Sequence, residues 1–290
     1  MSMEVCVLAS GSWGNCTIVR TPAGVLLIDA GIGPRTAARR LDGTGVAVKD
    51  VVAVCLTHLD HDHFTPTWAR TLRDQDARIL CHARRVAALD ELCNGRLSGR
   101  IDGFDAPFEP LPGLRVCPIA LAHDRDGSHG FVLEGYGCRI GYATDLGRVP
   151  SAMIEQFVGL DLLALESNYD RQMQLDSPRP WFLKDRIMGG RGHLSNDQAF
   201  NAVIEILHRH EQCGIGLPAH IVLLHRSLEC NCPQKLRRRF SRDRRVASRL
   251  TLAEQFERSD WLRPRRGVPL VGEQLVMAHF AERAGRIHFR

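Results

Sequence analysis

Thr57-His58-Leu59-Asp60-His61-Asp62-His63-Phe64, "THLDHDHF", places three imidazoles and two carboxylates within six positions, directly after the apolar run "VVAVCL" (residues 51–56). The run reads as a buried strand, and the polar cluster as the turn by which the chain leaves the sheet. Loops at strand ends collect functional groups because a rigid scaffold positions them. A helix-capping loop, with Asp62 as cap and the histidines solvated, is the bland alternative. Against it stands electrostatics: five ligand-type side chains at the rim of a core leave much charge uncompensated, and a divalent cation balances such a set.

Partners for His58, Asp60, Asp62 and His63 occur at matching places further along. His123 follows "RVCPIALA", Asp145 follows "CRIGYAT" and His225 closes "HIVLLH", each at the end of an apolar run, while His193 sits in "GRGHLSN". All of them can converge on one sheet edge.

Outward from that centre, "EVCVLA", "CTIVR" and "VLLIDAG" are separated by turn residues and predict hairpins. From residue 51 strands alternate with helices, the latter expected at "TPTWARTLRDQ", "ARRVAALDELC", "PSAMIEQFV" and "SNDQAFNAVIEILHRH", the last capped by Ser195 or Asn196. Further strands are expected at "LRVCPIAL", "GFVLEG", "CRIGYAT", "DLLALE", "HIVLLH" and "SRLTLAEQF". Hairpins and β-α units in one chain, without repeats or a dividing linker, predict sheets packed face to face under outer helices.

The 290 residues, 44% of them hydrophobic, suffice for a substantial core and argue against disorder. The apolar runs are too short to span a bilayer and "MSMEVCVLAS" lacks a secretory pattern, which predicts a cytoplasmic protein without a membrane partner. The 10 cysteines are scattered through strand-like contexts and read as reduced core residues; Cys230 and Cys232 in "LECNC" read as bystander thiols. The net charge of +5 is unevenly spread: residues 235–249, "KLRRRFSRDRRVASR", carry eight basic side chains against one acidic. Such a run suits a polyanion, or else a solvated helix face.

"THLDHDH" resembles the T-H-x-H-x-D-H motif of the metallo-β-lactamase fold, with "LLIDAG" as its upstream Asp-bearing strand and "YATDLG" as its bridging-Asp motif. "LASGSWGNCTIV", "HDRDGSHGF", "LLALESNYD", "LKDRIMGGRGHLSN" and "VLLHRSLECNCP" resemble, in order, the exonuclease-like WalJ/YycJ branch, and more remotely the tRNA-maturation endonuclease RNase Z. The resemblance implies an α+β, four-layer αβ/βα sandwich of two mixed β-sheets flanked by helices. It covers a hydrolase domain over residues 1–263 and leaves 264–290 as a C-terminal extension.

It further implies two divalent metal ions, one held by His58, Asp60 and His123, the other by Asp62, His63 and His225, with Asp145 bridging. Asp29 would organise the neighbouring loop. The family usually has His where this chain has Asp60; the harder carboxylate shifts that position from strict Zn²⁺ preference toward Mn²⁺ or Fe. His61 is the alternative ligand, although the backbone direction turns it elsewhere. Asp62 would orient the metal-activated water and accept its proton. His193 resembles the non-ligand histidine that protonates the leaving oxygen, with Glu166 as its partner. Ser10, Asn15, Asn168 and Asn196 are expected at the substrate, and Trp13 either stacks on a base or covers the site.

The expected function is a metal-dependent phosphodiesterase or nuclease, exonuclease-like, on nucleic acid and on DNA rather than RNA. The same dinuclear centre suits esters, thioesters or lactones as a second reading. A catalytically weak metal-binding regulatory protein is a third.

Overall fold

A computed structural model of the chain describes residues 3–264. The C-terminal extension expected over 264–290 lies, past Pro264, outside the described residues.

Six strands, β1 (Glu4–Ala9), β2 (Cys16–Thr21), β3 (Gly24–Ile28), β4 (Val51–Cys55), β5 (Arg78–His82) and β6 (Ile101–Phe104), lie side by side in chain order. The first three pair antiparallel, and β3 to β6 run parallel. Seven more, β7 (Phe108–Leu111), β8 (Leu114–Leu121), β9 (Ser128–Gly135), β10 (Cys138–Ala143), β11 (Leu162–Glu166), β12 (His220–Leu224) and β13 (Leu250–Leu252), form the second sheet, again in chain order. There β7 to β10 pair antiparallel and β10 to β13 parallel.

Tight turns suffice for the antiparallel pairs, but each parallel pair needs a crossover, and every crossover here carries at least one helix. The helices are α1 (Pro34–Leu41), α2 (Trp68–Asp74), α3 (Val86–Leu92), α4 (Ser151–Gln156), α5 (Arg171–Asp176), α6 (Trp181–Met188), α7 (Asn196–Gln212), α8 (Pro233–Phe240) and α9 (Arg244–Ala247). Helix α7 starts at a capping box in which the Ser195 side chain accepts from the Gln198 amide, so Ser195 rather than Asn196 is the cap.

Alternation along the strands splits the apolar residues into layers. Val5, Val7, Phe131 and Leu133 face the space between the sheets. Cys6 and Leu8 turn outward to Trp68, Leu72 and Leu89 beneath the first helices. Val132, Leu163 and Leu165 turn outward to Phe157, Val203 and Phe240 beneath α4, α7 and α8. Three apolar layers separate four layers of structure, the αβ/βα order expected.

One strand is shorter than expected. Of "SRLTLAEQF" only Leu250–Leu252 forms a strand on β12, because after Ala253 the chain turns back along β1. There Ser10 N–H donates to Glu254 O at 3.1 Å and Leu262 N–H to Val5 O at 2.7 Å.

Candidate metal centre

One edge of the two packed sheets gathers the polar side chains. His58 follows β4, His123 follows β8, Asp145 follows β10, Glu166 ends β11 and His225 follows β12. At two of these exits, and at Asp29 after β3, the backbone turns through left-handed geometry: Asp29, Asp145 and His225 have φ of 60°, 55° and 53°. Non-glycine residues seldom adopt it, and such turns cluster where function holds them.

The loop Asp60–His63 packs on the "SGSWGN" turn with no space to spare. Asn15 N–H donates to Asp62 O at 2.7 Å, and Gly31 N–H donates to Asn15 O at 2.8 Å. A Cβ at Gly31 would stand 1.9 Å from Asp62 O, so only glycine admits this approach.

Among the described residues, four groups of ligand atoms lie within 4.8 Å of one another, two of which share no residue: His58, Asp60 and His123, then Asp62, His63 and His225; the other two, His58–His63–Asp145 and Asp145–Glu166–His193–His225, overlap them. In the first, Asp60 Oδ2 lies 3.6 Å from His58 Nε2 and 3.9 Å from His123 Nε2. In the second, Asp62 Oδ2 lies 3.2 Å from His225 Nε2 and 3.7 Å from His63 Nε2. Asp145 stands between them, Oδ2 at 2.9 Å from His63 Nε2 and Oδ1 at 3.5 Å from His225 and 3.9 Å from His123. His61 turns outward with its side chain 91% exposed.

The far side of each imidazole is held by the protein, which turns Nε2 toward the cluster. His63 Nδ1 donates to Asp29 Oδ2 at 2.8 Å, and His123 Nδ1 to Gly192 O at 3.0 Å. His58 Nδ1 lies 3.0 Å from Thr57 Oγ1, and Asn168 Nδ2 lies 3.0 Å from His225 Nδ1. Asp29 also accepts from the Thr57 amide at 2.9 Å, tying the start of the loop to β3. His193 Nδ1 donates to Glu166 Oε1 at 2.7 Å and lies 3.5 Å from Asp145 Oδ1.

Of the other expected residues, Ser10 Oγ accepts the His225 amide at 2.7 Å, and Asn15 Nδ2 lies 3.0 Å from His63 Nε2. Asn196 is buried and its carboxamide is engaged by Ser167 and Asn231, an arrangement that ties β11 to α7. Trp13 is 75% exposed.

Several supports escaped the sequence reading. Thr57 stood inside the decisive motif but reads there as a mere strand end. Ser128 Oγ donates to Asp145 O at 2.5 Å, and Thr144 Oγ1 to Asp145 Oδ2 at 2.8 Å. The buried Asn231 amide donates to Ser167 O, Asn168 O and Asn196 Oδ1 at 3.1, 2.8 and 2.9 Å. It clips three segments together, and its only sequence signal is a place within "LECNC".

The charges are strongly coupled. Burial favours the protonated form of Asp145, yet His225 and His63 outweigh it and hold the carboxyl well below the usual range. Asp62 is lowered likewise, by His225 and His63 against its burial. Burial lowers His225, but Asp145, Asp62 and Glu166 overcome it and raise the imidazole to about 10. His58 goes the other way, lowered by burial and by the neighbouring His63. Its buried Nε2 has no hydrogen-bond partner among the described residues, an orphaned lone pair aimed at the first group. Carboxylate oxygens and imidazole nitrogens around such an atom fit a borderline or hard divalent cation.

Residues 25–215 match the family described as "Beta-lactamase superfamily domain". The chain belongs to that superfamily and is a hydrolase of the metallo-β-lactamase fold, a fold that implies divalent metal use. It is 25% identical over 238 residues to the exodeoxyribonuclease YycJ of Bacillus anthracis, which covers 82% of this chain and 87% of that protein. It is 24% identical over 207 residues to the exodeoxyribonuclease WalJ of Streptococcus pneumoniae, covering 69% and 76%. Among solved structures, the metallo-β-lactamase fold protein YhfI of Bacillus subtilis superposes with a TM-score of 0.65 at 15% identity, covering 90% of this chain and all of that one. No helix among the described residues is long and apolar enough to cross a membrane.

Proposed function

We propose that the chain is a phosphodiesterase acting on nucleic acid, DNA before RNA, with exonuclease-like activity. One observation carries the reading: two ligand groups flank Asp145, and the Glu166–His193 pair stands 3.5 Å from the same carboxylate. The names of the YycJ and WalJ relatives support the choice of substrate.

His58, Asp60 and His123 would hold one divalent cation and Asp62, His63 and His225 a second, with Asp145 common to both. Such a pair acidifies water and offsets the charge of a phosphodiester. The chain's own groups do the rest. Asp62 offers an oxygen to orient water and take its proton. Glu166 accepts from His193 Nδ1, which leaves Nε2 to deliver a proton to the departing oxygen. Both Glu166 oxygens are occupied, the second by the Leu146 and Leu194 amides at 3.2 and 3.1 Å, so the imidazole is fixed in orientation. Asp60, a carboxylate 46% exposed in its side chain, favours Mn²⁺ or Fe over Zn²⁺ in the first group.

The test sets bis-p-nitrophenyl phosphate and single-stranded DNA against p-nitrophenyl acetate and a thioester, each with added Mn²⁺ or Zn²⁺. Phosphodiester turnover, strongest with Mn²⁺, is expected. Turnover of the acyl substrates alone would replace this reading with the ester and thioester one.

A further inference from the structure

The basic run 235–249 is organised rather than merely solvated. Lys235, Arg238, Arg239 and Arg242 recur at i, i+3, i+4 and i+7 along α8 and its immediate continuation, while Leu236 and Phe240 turn inward and are fully buried. This stripe faces α5 and the first turn of α7 across a groove of about 240 Å³ whose other wall includes Asp170, Arg171 and Asp197.

The groove's acids are already answered. Asp170 pairs with Lys235 at 3.1 Å and Asp197 with Arg239 at 2.8 Å, and the Arg239 guanidinium also lies 4.5 Å from the Phe200 ring centre. Exposed Arg171, Arg238 and Arg242 have no ion pair among the described residues, so the groove keeps an excess of positive charge.

Bonds and chain connectivity link it to the candidate metal centre. Asn196 lines the groove and accepts from Ser167, the residue after Glu166, at 2.9 Å. Asp170 N–H donates to Cys230 O at 2.8 Å, in the loop that leaves His225, and α7 begins three residues after His193.

We propose that this groove holds the sugar-phosphate backbone of a single-stranded nucleic acid leading to the metal centre, an inference that rests on the phosphodiesterase reading for what happens at its end. From Lys235 to Arg242 the stripe runs about 10 Å at helical rise, the reach of two successive phosphates. A cavity of this size admits one nucleotide unit rather than a duplex, and a basic groove that tracks one backbone is a recurrent solution for single strands. Each phosphate contact on a single strand adds about 0.7 to the slope of log affinity against log salt.

The test measures binding of a labelled phosphorothioate DNA single strand, which resists cleavage, to the full metal-loaded chain across a salt series. The double variant Arg238→Gln/Arg242→Gln is expected to lower the slope by about 1.4. The control Arg237→Gln/Arg244→Gln, with the same charge change away from the stripe, is expected to keep it. Equal losses in both, no loss in either, salt-independent binding, or tighter binding of the matching duplex each overturn the proposal. The two readings separate cleanly. Groove-dependent binding without cleavage of an ordinary strand sinks the phosphodiesterase and leaves the groove, whereas cleavage with an unchanged slope sinks the groove alone.

Discussion

His193 Nδ1 and Glu166 Oε1 lie 2.7 Å apart, and the carboxylate is anchored on its other oxygen by two backbone amides. A proton delivered from Nε2 matters in proportion to how poor the leaving group is. His193→Ala should therefore lower kcat on oligonucleotides, whose sugar oxygen leaves badly, by about 10²- to 10⁴-fold. Turnover of bis-p-nitrophenyl phosphate, whose phenolate leaves unaided, should fall far less. Equal losses on both substrates would remove the acid role from His193.

Metal uptake should release protons. Asp145, Asp62 and Glu166 raise His225 to about 10 against its burial, so this imidazole carries a proton at neutral pH before a cation arrives, and Asp145 and Asp29 raise His63 in the same direction. A ligand nitrogen must give that proton up. Affinity for Mn²⁺ should rise with pH between about 7 and 9, with at least the His225 proton released as the second group fills. Titration calorimetry of chelated protein in buffers of different ionisation enthalpy reads the number directly, and zero release contradicts the ligand assignment.

Gly31→Ala should damage the centre from outside it. The new methyl group would meet Asp62 O at 1.9 Å, in backbone that Asn15 also holds. Forced overpacking of this kind costs about 1–3 kcal/mol. A lower urea midpoint is expected together with reduced bound metal by elemental analysis. Unchanged metal content would show that the loop adapts without moving Asp62 or His63.

Acid sensitivity should arise at His129, a buried imidazole that belongs to none of the ligand groups. Its ring stacks on His82 with centroids 4.6 Å apart, and burial, aided by His82 and Arg85, depresses it to about 4. The unfolded chain binds this proton below about 6.5 and the folded chain does not, so stability is lost as pH falls from about 6.5 to 4. His129→Phe keeps a ring in the stack and removes the titration. The variant should gain on the parent steadily through that window and run parallel to it above pH 7, as measured by urea midpoints. A constant difference from pH 4 to 8 counts against the assignment.

What could be read from residue order was what repeats or crowds. Strands β4, β10, β11 and β12 are buried on both faces or nearly so, and a run such as "LLALE" needs no partner to be recognised. Crowding at Thr57–His63 marks the edge of the sheets at which His123, Asp145 and His225 also gather. Helices α1, α5 and α6 were not foreseen, because in each at most two residues are buried and no apolar stripe forms. The truncation of β13 depends on pairing with β1 some 250 residues earlier in the chain, as in the Leu262–Val5 contact, which local pattern cannot carry. Asn231 is a lone amide whose role exists only once three segments meet.

The strand order has a consequence for how the centre is assembled. Residues 4–104 contribute Asp29, His58, Asp60, Asp62 and His63, and residues 108–252 contribute His123, Asp145, Glu166, His193 and His225. Neither portion, made alone, owns the whole proposed ligand set, so a bound cation would work as a clasp across the seam between the two sheets. Grip on the ion would then gauge how firmly the seam is closed, and a loosened seam would be felt first as a weaker hold on metal.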